Sequence, residues 1–166
     1  MRLFLIRHAH AKDCFPDEDR PLSEFGISQI RKLSDSLARE TFAQIKQIWH
    51  SPYLRARQTA ELLAENLGLD APLHSVSKIT PYGDPDSVAR EIAAISCFDA
   101  DLAVVAHNPF LESLAAMLMG KKSGGYITFK KGTIAAFTLV ENAGIYNPLG
   151  TWTLDFLVSP SVFPRK

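Results

Sequence analysis

The sequence has few cysteines and no net charge. Its two cysteines, Cys14 and Cys97, lie far apart and in no metal-ligand spacing, which predicts two free thiols in a reducing compartment. Eighteen basic residues balance eighteen acidic ones, so no overall field draws the protein toward nucleic acid or an anionic membrane. Any anion-binding site must therefore be local.

Long hydrophobic runs are also missing. The first apolar run ends at Ile6, far short of a signal-peptide core, and no later segment approaches the length of a membrane span. We therefore expect a cytoplasmic protein that binds neither membrane nor nucleic acid. With 46% hydrophobic content, residues 1–166 have enough apolar material for the core of a single domain.

The first eleven residues carry the strongest functional signal. Leu3 to Ile6 are apolar at every position, as expected of a strand in the interior of a parallel sheet. Arg7 and His8 follow at once, at the strand end where open α/β sheets bind their ligands. Arginine offers a planar fork of donors for phosphate or carboxylate, and histidine is a neutral nucleophile near pH 7. The pair favours phosphoryl chemistry.

Strand and helix signals alternate along the rest of the chain. Strands are predicted at residues 45–49, 73–76 and 102–106. Helices are predicted to begin at Ser23, at Ser51-Pro52, near Asp86 and at His107-Asn108-Pro109, and Gly68 ends the second. Residues 133–140 and 151–158 are predicted to pair antiparallel at the sheet edge. This order predicts a three-layer α/β/α fold, with a mainly parallel sheet, helices on both faces and an antiparallel edge.

Two later junctions repeat the geometry of the first. Arg55 lies in the first turn of the helix after the second strand, and His107 begins the helix after strand 102–106. The free amide hydrogens and positive dipole end of a helix favour an anion, so we expect both residues to join Arg7 and His8 at one crevice. Two guanidinium groups and two imidazoles would hold a tetrahedral dianion and stabilise its transferring form.

Five short motifs occur in an order typical of one protein family. They are Arg7-His8-Ala9, Arg20-Pro21-Leu22-Ser23 with Gly26, Ser51-Pro52-Tyr53-Leu54-Arg55-Ala56-Arg57-Gln58-Thr59, Thr80-Pro81 with Gly83-Asp84, and His107-Asn108-Pro109. Together they resemble the histidine phosphatase (phosphoglycerate-mutase-like) superfamily, and within it the small branch of SixA-type phosphohistidine phosphatases. The similarity covers almost the whole chain.

The resemblance implies a catalytic site that needs no cofactor and no metal. His8 would be the nucleophile that becomes phosphorylated, with Arg7, Arg55 and His107 as the phosphate pocket. Arg20 looks like a supporting contact at the entrance. The residues expected to bind substrate are Arg7, Arg20, Arg55, His107 and Asn108.

The resemblance also implies the substrate class. The chain has no long insertion to roof the pocket, so we expect a shallow site that accepts a phosphorylated protein, such as a histidine-phosphotransfer domain. The alternative is a small-molecule phosphomonoesterase of the same superfamily.

Two departures from the family pattern concern the proton donor. Ala9-His10 stands where relatives usually carry glycine and then an acidic or polar residue. Larger relatives place a glutamate acid after the third strand, where this chain offers Asp84. Asp84 and His10 are therefore the candidate proton donors, although Asp84 also suits the cap of the third helix. A weak acid favours a phosphoramidate, because an imidazole can depart already protonated whereas an alkoxide needs a proton.

Two other classes of protein compete with this interpretation. His8-x-His10 places two imidazoles on one strand face, as in metal-dependent hydrolases, with His50, His74 or His107 as further ligands. The neighbouring arginines would repel a divalent cation. A non-catalytic phosphate-binding module would keep the arginines, but it would have little reason to keep both histidines.

The remaining histidines and lysines have simpler interpretations. His50 and His74 are expected to be packed, hydrogen-bonded residues. The pairs Lys121-Lys122 and Lys130-Lys131 are expected to be solvated loop charges, which an acidic protein partner would contact if they have a binding role.

Overall fold

The computed structural model describes residues 1–96, 100–121 and 125–163, so Cys97 and Lys122 lie outside the described residues. Cys14 is exposed and free, as predicted. Within these ranges, six strands form one sheet: β1 (Arg2–Arg7), β2 (Ile45–His50), β3 (Leu73–Ser75), β4 (Asp101–Ala106), β5 (Ile134–Glu141) and β6 (Thr151–Val158). The same ranges contain the helices α1 (Glu24–Ser36), α2 (Leu54–Leu67), α3 (Pro85–Ile95) and α4 (Phe110–Leu118). None of these helices has the length and apolarity that crossing a membrane requires.

The sheet is mainly parallel, with an antiparallel edge. Its strand order is β3-β2-β4-β1-β5-β6. β4 pairs in parallel with both β1 and β2, and β2 pairs in parallel with β3. β5 runs antiparallel to both β1 and β6. The predicted fold class is confirmed, and the carboxyl ends of β1, β2 and β4 meet at one edge of the sheet.

Strand β1 shows how both faces of the sheet are covered. Leu3 and Leu5 lie in a core with Leu114 of α4, whereas Phe4 and Ile30 of α1 belong to a second core on the other face. Successive residues of a strand point to opposite sides, so a strand that is apolar at every position is buried on both. The three layers follow from this burial.

Two helix ends lie where the sequence predicts them. Ser23 is the N-cap of α1, and its hydroxyl accepts a hydrogen bond from the Gly26 N–H at 3.0 Å. Gly68 ends α2 with a left-handed φ of 68°. A Cβ at Gly26 would lie 2.0 Å from the carbonyl oxygen of His10. Glycine therefore allows α1 to approach the chain that leaves β1.

The prediction that α2 begins at Ser51-Pro52 is wrong. The helix begins at Leu54, with Tyr53 as its N-cap residue. The Ser51 N–H instead donates to the Val105 carbonyl oxygen at 3.0 Å, which keeps Ser51 beside β4. Its hydroxyl accepts from the Tyr53 N–H at 3.3 Å. Sheet pairing therefore delays the start of the helix and leaves the serine hydroxyl at the edge of the sheet.

Candidate active site

Several segments meet at the carboxyl ends of β1, β2 and β4. The His8 N–H donates to the last carbonyl oxygen of β4 at 3.0 Å. The Gly132 N–H donates to the carbonyl oxygens of Arg7 and His8 at 3.1 and 3.2 Å, which brings in the turn before β5. The rings of His8 and His107 lie 4.8 Å apart, and Arg55 Nε lies 3.4 Å from His8 Nε2. The structure thus brings the predicted imidazoles and guanidinium groups to one place.

The imidazole of His8 is oriented by its own chain. Its Nδ1 lies 2.7 Å from the carbonyl oxygen of Ala9, which only accepts hydrogen bonds, so Nδ1 carries the proton. The lone pair of the neutral ring is therefore on Nε2, the atom that faces Arg55. The Thr59 hydroxyl accepts from the Ala9 N–H at 3.2 Å and donates to the Arg55 carbonyl oxygen at 2.7 Å. This hydroxyl joins the chain after β1 to the first turn of α2.

The imidazole of His107 is oriented by a serine. Its Nε2 lies 2.8 Å from Ser51 Oγ. That hydroxyl accepts from the Tyr53 N–H, and when it donates its own proton to Nε2 the ring proton of His107 is on Nδ1. Nδ1 is buried without a hydrogen-bond partner among the described residues. A buried donor of this kind suits an anionic ligand.

Both imidazoles are held in their neutral form. Burial lowers the pKa of His8 to about 3 and outweighs the hydrogen bond to the Ala9 carbonyl oxygen, which acts to raise it; the positive charges of Arg55 and Arg7 lower it further. Burial also lowers the pKa of His107 to about 2, with the neighbouring His8 and Arg55 adding to the shift. Both rings are therefore uncharged at neutral pH, and His8 Nε2 keeps a lone pair, which accepts the hydrogen bond from Arg55 Nε at 3.4 Å.

Arg7 and Asn108 share an anchor in the loop before β5. Arg7 Nη1 donates to the Phe129 carbonyl oxygen at 2.5 Å, and Asn108 Nδ2 donates to the same oxygen at 3.1 Å. Burial lowers the pKa of Arg7, although Glu112 opposes the shift. Arg7 Nε is buried without a partner in the described ranges, so it is available to a phosphate oxygen. The Asn108 amide nitrogen, by contrast, is engaged by Phe129 and by Glu112 at 2.7 Å.

Arg20 reaches the site through Asp17. Arg20 Nη1 donates to Asp17 Oδ1 at 3.0 Å, and Arg55 Nη2 donates to Asp17 Oδ2 at 2.9 Å. Desolvation acts to raise the pKa of Asp17, but the hydrogen bonds from Arg20 and Arg55 outweigh it and lower the pKa. Sequence reasoning missed Asp17, because the order of residues does not show which acidic side chain meets which arginine.

Lys131 is not the solvated loop charge that the sequence predicts. Its side chain is half-buried, in the turn that precedes β5. Desolvation lowers the pKa of Lys131, and the positive charges of Arg7 and Arg20 lower it further. Ile134 of β5 pairs antiparallel with Ile6 of β1, so residues just before β5 must lie at the carboxyl end of β1. The sequence predicted that residues 133–140 pair with 151–158, but not that they also pair with β1, so it did not place this lysine at the site.

The two candidate proton donors lie at helix starts. Asp84 is exposed, and its carboxylate accepts from the Asp86 N–H at 3.0 Å as the N-cap of α3. Nδ1 of His10 lies 2.8 Å from Ser23 Oγ, at the start of α1. The contacts that the structure describes for these two side chains lead to the helices and not to the imidazole of His8.

The histidines do not form the arrangement of a metal hydrolase. β1 ends at Arg7, so His8 and His10 do not share a strand face. Residues 1–96, 100–121 and 125–163 contain no group of three His, Cys, Asp or Glu side chains placed to hold a metal ion. His50 is buried and hydrogen-bonded to the next carbonyl oxygen, as predicted. His74 is exposed on the edge strand β3, so the prediction that it is packed is wrong.

Comparison with known proteins points to one family. A family model described as the histidine phosphatase superfamily (branch 1) matches residues 3–79. The chain is 29% identical over 162 residues to the phosphohistidine phosphatase SixA of Escherichia coli (strain K12), which covers 96% of this chain and 94% of that protein.

Solved structures share the fold over nearly the full length. The protein histidine phosphatase SixA complexed with tungstate matches with a TM-score of 0.84 at 27% identity, covering 98% of this chain and 99% of that one. The alpha-ribazole phosphatase from Shigella flexneri matches with a TM-score of 0.70 at 20% identity over 100% of both chains. The second likeness concerns the fold alone.

Proposed function

The chain belongs to the histidine phosphatase superfamily, and on that basis we propose that it hydrolyses phosphohistidine on a protein, through a covalent intermediate at His8. It is a metal-independent phosphatase, as its family membership implies. One observation carries the proposal. His8 Nε2 is unprotonated and lies 3.4 Å from Arg55 Nε. A phosphoryl group bound by Arg55 would therefore be presented directly to the nucleophile.

In the first step, the lone pair of His8 Nε2 attacks phosphorus in line. A P–N bond to the enzyme forms, and the bond from phosphorus to the leaving group breaks. Charge spreads over three equatorial oxygens, which the guanidinium groups of Arg7 and Arg55 and the Nδ1–H of His107 would stabilise. Arg55 and His107 are buried, so solvent screens their interaction with that charge only weakly.

In the second step, a water oxygen attacks the same phosphorus atom. The P–N bond to His8 breaks, and its electron pair returns to Nε2. Both hydrogens of the water leave with inorganic phosphate or pass to solvent. The Nδ1 proton of His8 stays on the hydrogen bond to Ala9 throughout, so the neutral nucleophile is regenerated.

A nitrogen leaving group suits this site better than an alkoxide. A phosphohistidine that is protonated on its other ring nitrogen departs as neutral imidazole and needs no proton from the enzyme, whereas an alkoxide does. The candidate donors Asp84 and His10 are engaged at the starts of α3 and α1. The E. coli relative, which matches over almost the whole chain, is named a phosphohistidine phosphatase, and this supports the same substrate class.

A protein partner is favoured by the loops beside the site. Phe15 and Tyr82 lie in the loops after β1 and β3, at the carboxyl edge of the sheet, and are 94% and 92% exposed. Exposed aromatic side chains are typical of surfaces that bind proteins. We therefore propose that the partner is a phosphorylated protein, such as a histidine-phosphotransfer domain. We also propose that residues 1–166 form a single domain. The cytoplasmic location of the phosphatase stays a prediction.

A substrate panel tests the proposal. A histidine-phosphorylated protein, phosphoramidate, an aryl phosphate and sugar phosphates are compared by phosphate release and by covalent labelling of the enzyme. We expect turnover of the first three and poor rates on sugar phosphates. His8→Ala should abolish turnover and labelling, whereas His74→Ala, which changes an exposed histidine on β3, should retain both.

Two results of this panel would contradict the proposal. Efficient turnover of a sugar phosphate, with the phosphohistidine protein left intact, would favour the small-molecule phosphomonoesterase. A clear loss of alkyl-phosphate activity in Asp84→Asn would show that Asp84 is a working acid, and the argument from the leaving group would fail.

A further inference from the structure

Asp17 occupies the phosphate-binding atoms of Arg55. Arg55 Nη2 donates to Asp17 Oδ2 at 2.9 Å, and Arg55 Nη1 donates to the Asp17 carbonyl oxygen at 2.6 Å. The other carboxylate oxygen of Asp17 accepts from Arg20 Nη1 at 3.0 Å. The carboxylate therefore bridges two guanidinium groups, both of which sequence reasoning assigns to the substrate phosphate.

A carboxylate and a phosphoryl group compete for the same donors. Both accept paired N–H bonds from a guanidinium, in nearly the same geometry. The negative charge of Asp17 also acts on His107, where it opposes the lowering of the pKa. Asp17 thus lies within electrostatic reach of the pocket as well as on its arginines.

The segment that carries Asp17 is exposed and has little burial to lose if it moves. Asp17 begins a three-residue 3-10 turn that contains no buried residue, and its side chain is 55% exposed, whereas that of Arg55 is 6% exposed. Little burial would be lost if the turn moved, and a local opening of this kind has a low free energy. Arg20 would stay attached to the loop through Asp13 and the Lys12 carbonyl oxygen.

We propose that Asp17 is a specificity-determining residue that competes with the substrate phosphoryl group for Arg55 and Arg20, and is displaced as that group binds. This inference rests on the proposed function of Arg55 as a phosphate ligand. For a small phosphate ester, only the contacts of its phosphoryl group offset the free energy needed to displace Asp17. A phosphorylated protein adds surface contacts, so the competition selects against free phosphate and small esters.

The test uses Asp17→Asn, which removes the charge and keeps the size of the side chain. The inhibition constant of inorganic phosphate is measured with an aryl phosphate as substrate. If the site is free of Asp17 about a tenth of the time, the apparent affinity for phosphate should rise about tenfold in the variant. KM for the aryl phosphate should fall in parallel, and KM for the phosphohistidine protein should fall less.

Asp19→Asn is the matched control. It removes the same charge from the same turn, and the Asp19 carboxylate makes no ion pair within the described part of the chain. An inhibition constant that is unchanged or higher in Asp17→Asn, relative to Asp19→Asn, would overturn the inference and leave Asp17 as a group that only orients Arg55. Tighter phosphate binding in Asp17→Asn would support it even if the phosphohistidine protein proved not to be a substrate.

Discussion

The Ser51 hydroxyl and the His107 imidazole form a fully buried pair, with 2.8 Å between Oγ and Nε2. A neutral imidazole has one donor and one acceptor nitrogen, so the partner of one nitrogen decides the role of the other. By donating to Nε2, Ser51 leaves the ring proton of His107 on Nδ1, which is buried without a partner among the described residues. The serine of the Ser51-Pro52 motif contacts the histidine that follows β4, and it is not the N-cap of α2.

Replacing Ser51 should impair both catalysis and folding. In Ser51→Ala the buried Nε2 of His107 loses its partner, which should lower the free energy of unfolding by about 1 to 3 kcal/mol. The ring is then free to adopt the other tautomer and remove the Nδ1 donor, so kcat should fall roughly tenfold to a hundredfold. Steady-state kinetics and urea unfolding measure the two effects.

The control for Ser51 is a second buried serine. Ser34→Ala removes a hydroxyl that donates to the Ile30 carbonyl oxygen within α1, outside the site. It should lower stability without lowering kcat. An equal loss of kcat in both variants would mean that Ser51 acts only through stability.

Arg55 should contribute strongly to the reaction. Arg55→Ala removes the guanidinium that lies 3.4 Å from His8 Nε2. We expect a loss of about 2 to 4 kcal/mol of transition-state stabilisation, roughly two to three decades in kcat/KM. Arg57→Ala, two residues on, removes an exposed guanidinium paired with Glu61 and should have little effect. Chelators should leave the wild-type rate unchanged, and a loss that zinc or magnesium restores would contradict the phosphate-pocket assignment.

Stability should fall as the pH falls from about 6.5 toward 3. The pKa values of His8 and His107 are lowered from 6.5 to about 3 and about 2 in the folded protein. Between these limits the unfolded chain binds protons that the folded chain does not, so acid favours unfolding. The slope should reach about 1.4 kcal/mol per pH unit for each histidine, and above about pH 6.5 the loss of stability from both histidines is absent because each is neutral in the folded and unfolded states.

Urea unfolding in phosphate-free buffer between pH 4.5 and 7 measures this slope. His8→Gln should remove about half of it, because one of the two buried titrating groups is gone. His74→Ala should leave it unchanged, since that side chain is exposed. A slope that persists in full in His8→Gln would show that other groups cause the acid sensitivity.

Lys131 should strengthen phosphate binding. It is half-buried, and the charges of Arg7 and Arg20 act on its pKa, so it belongs to the same cationic site. Lys131→Met should weaken inhibition by inorganic phosphate by about 1 kcal/mol, roughly fivefold. Lys130→Met changes the exposed lysine beside it and should have a smaller effect. Equal effects of the two variants would indicate a general loss of charge and not a contact.

The sequence predicted the elements better than their ends. Hydrophobic patterning placed β1 and β4, because burial on both faces demands apolar residues at every position of an interior strand. The antiparallel pair β5 and β6 was placed by two β-rich segments around a turn. The start of α2 was misplaced by two residues, with the N-cap at Tyr53 and not at Ser51. A serine followed by proline is a local helix signal, and pairing of Ser51 with β4 outweighed it.

By itself, the sequence determined the layered fold and the convergence of Arg7, His8, Arg55 and His107, because parallel strands bring their carboxyl ends to one edge and each of these residues lies at such an end or shortly after it. Only the tertiary structure decided which nitrogen of each imidazole is free, which acid lies on Arg55 and which lysine joins the site. Those are contacts of a few ångströms between residues distant in the chain, such as Asp17 with Arg55 and Ser51 with His107. Periodicity and capping rules act only on neighbours in sequence, so they do not report such contacts.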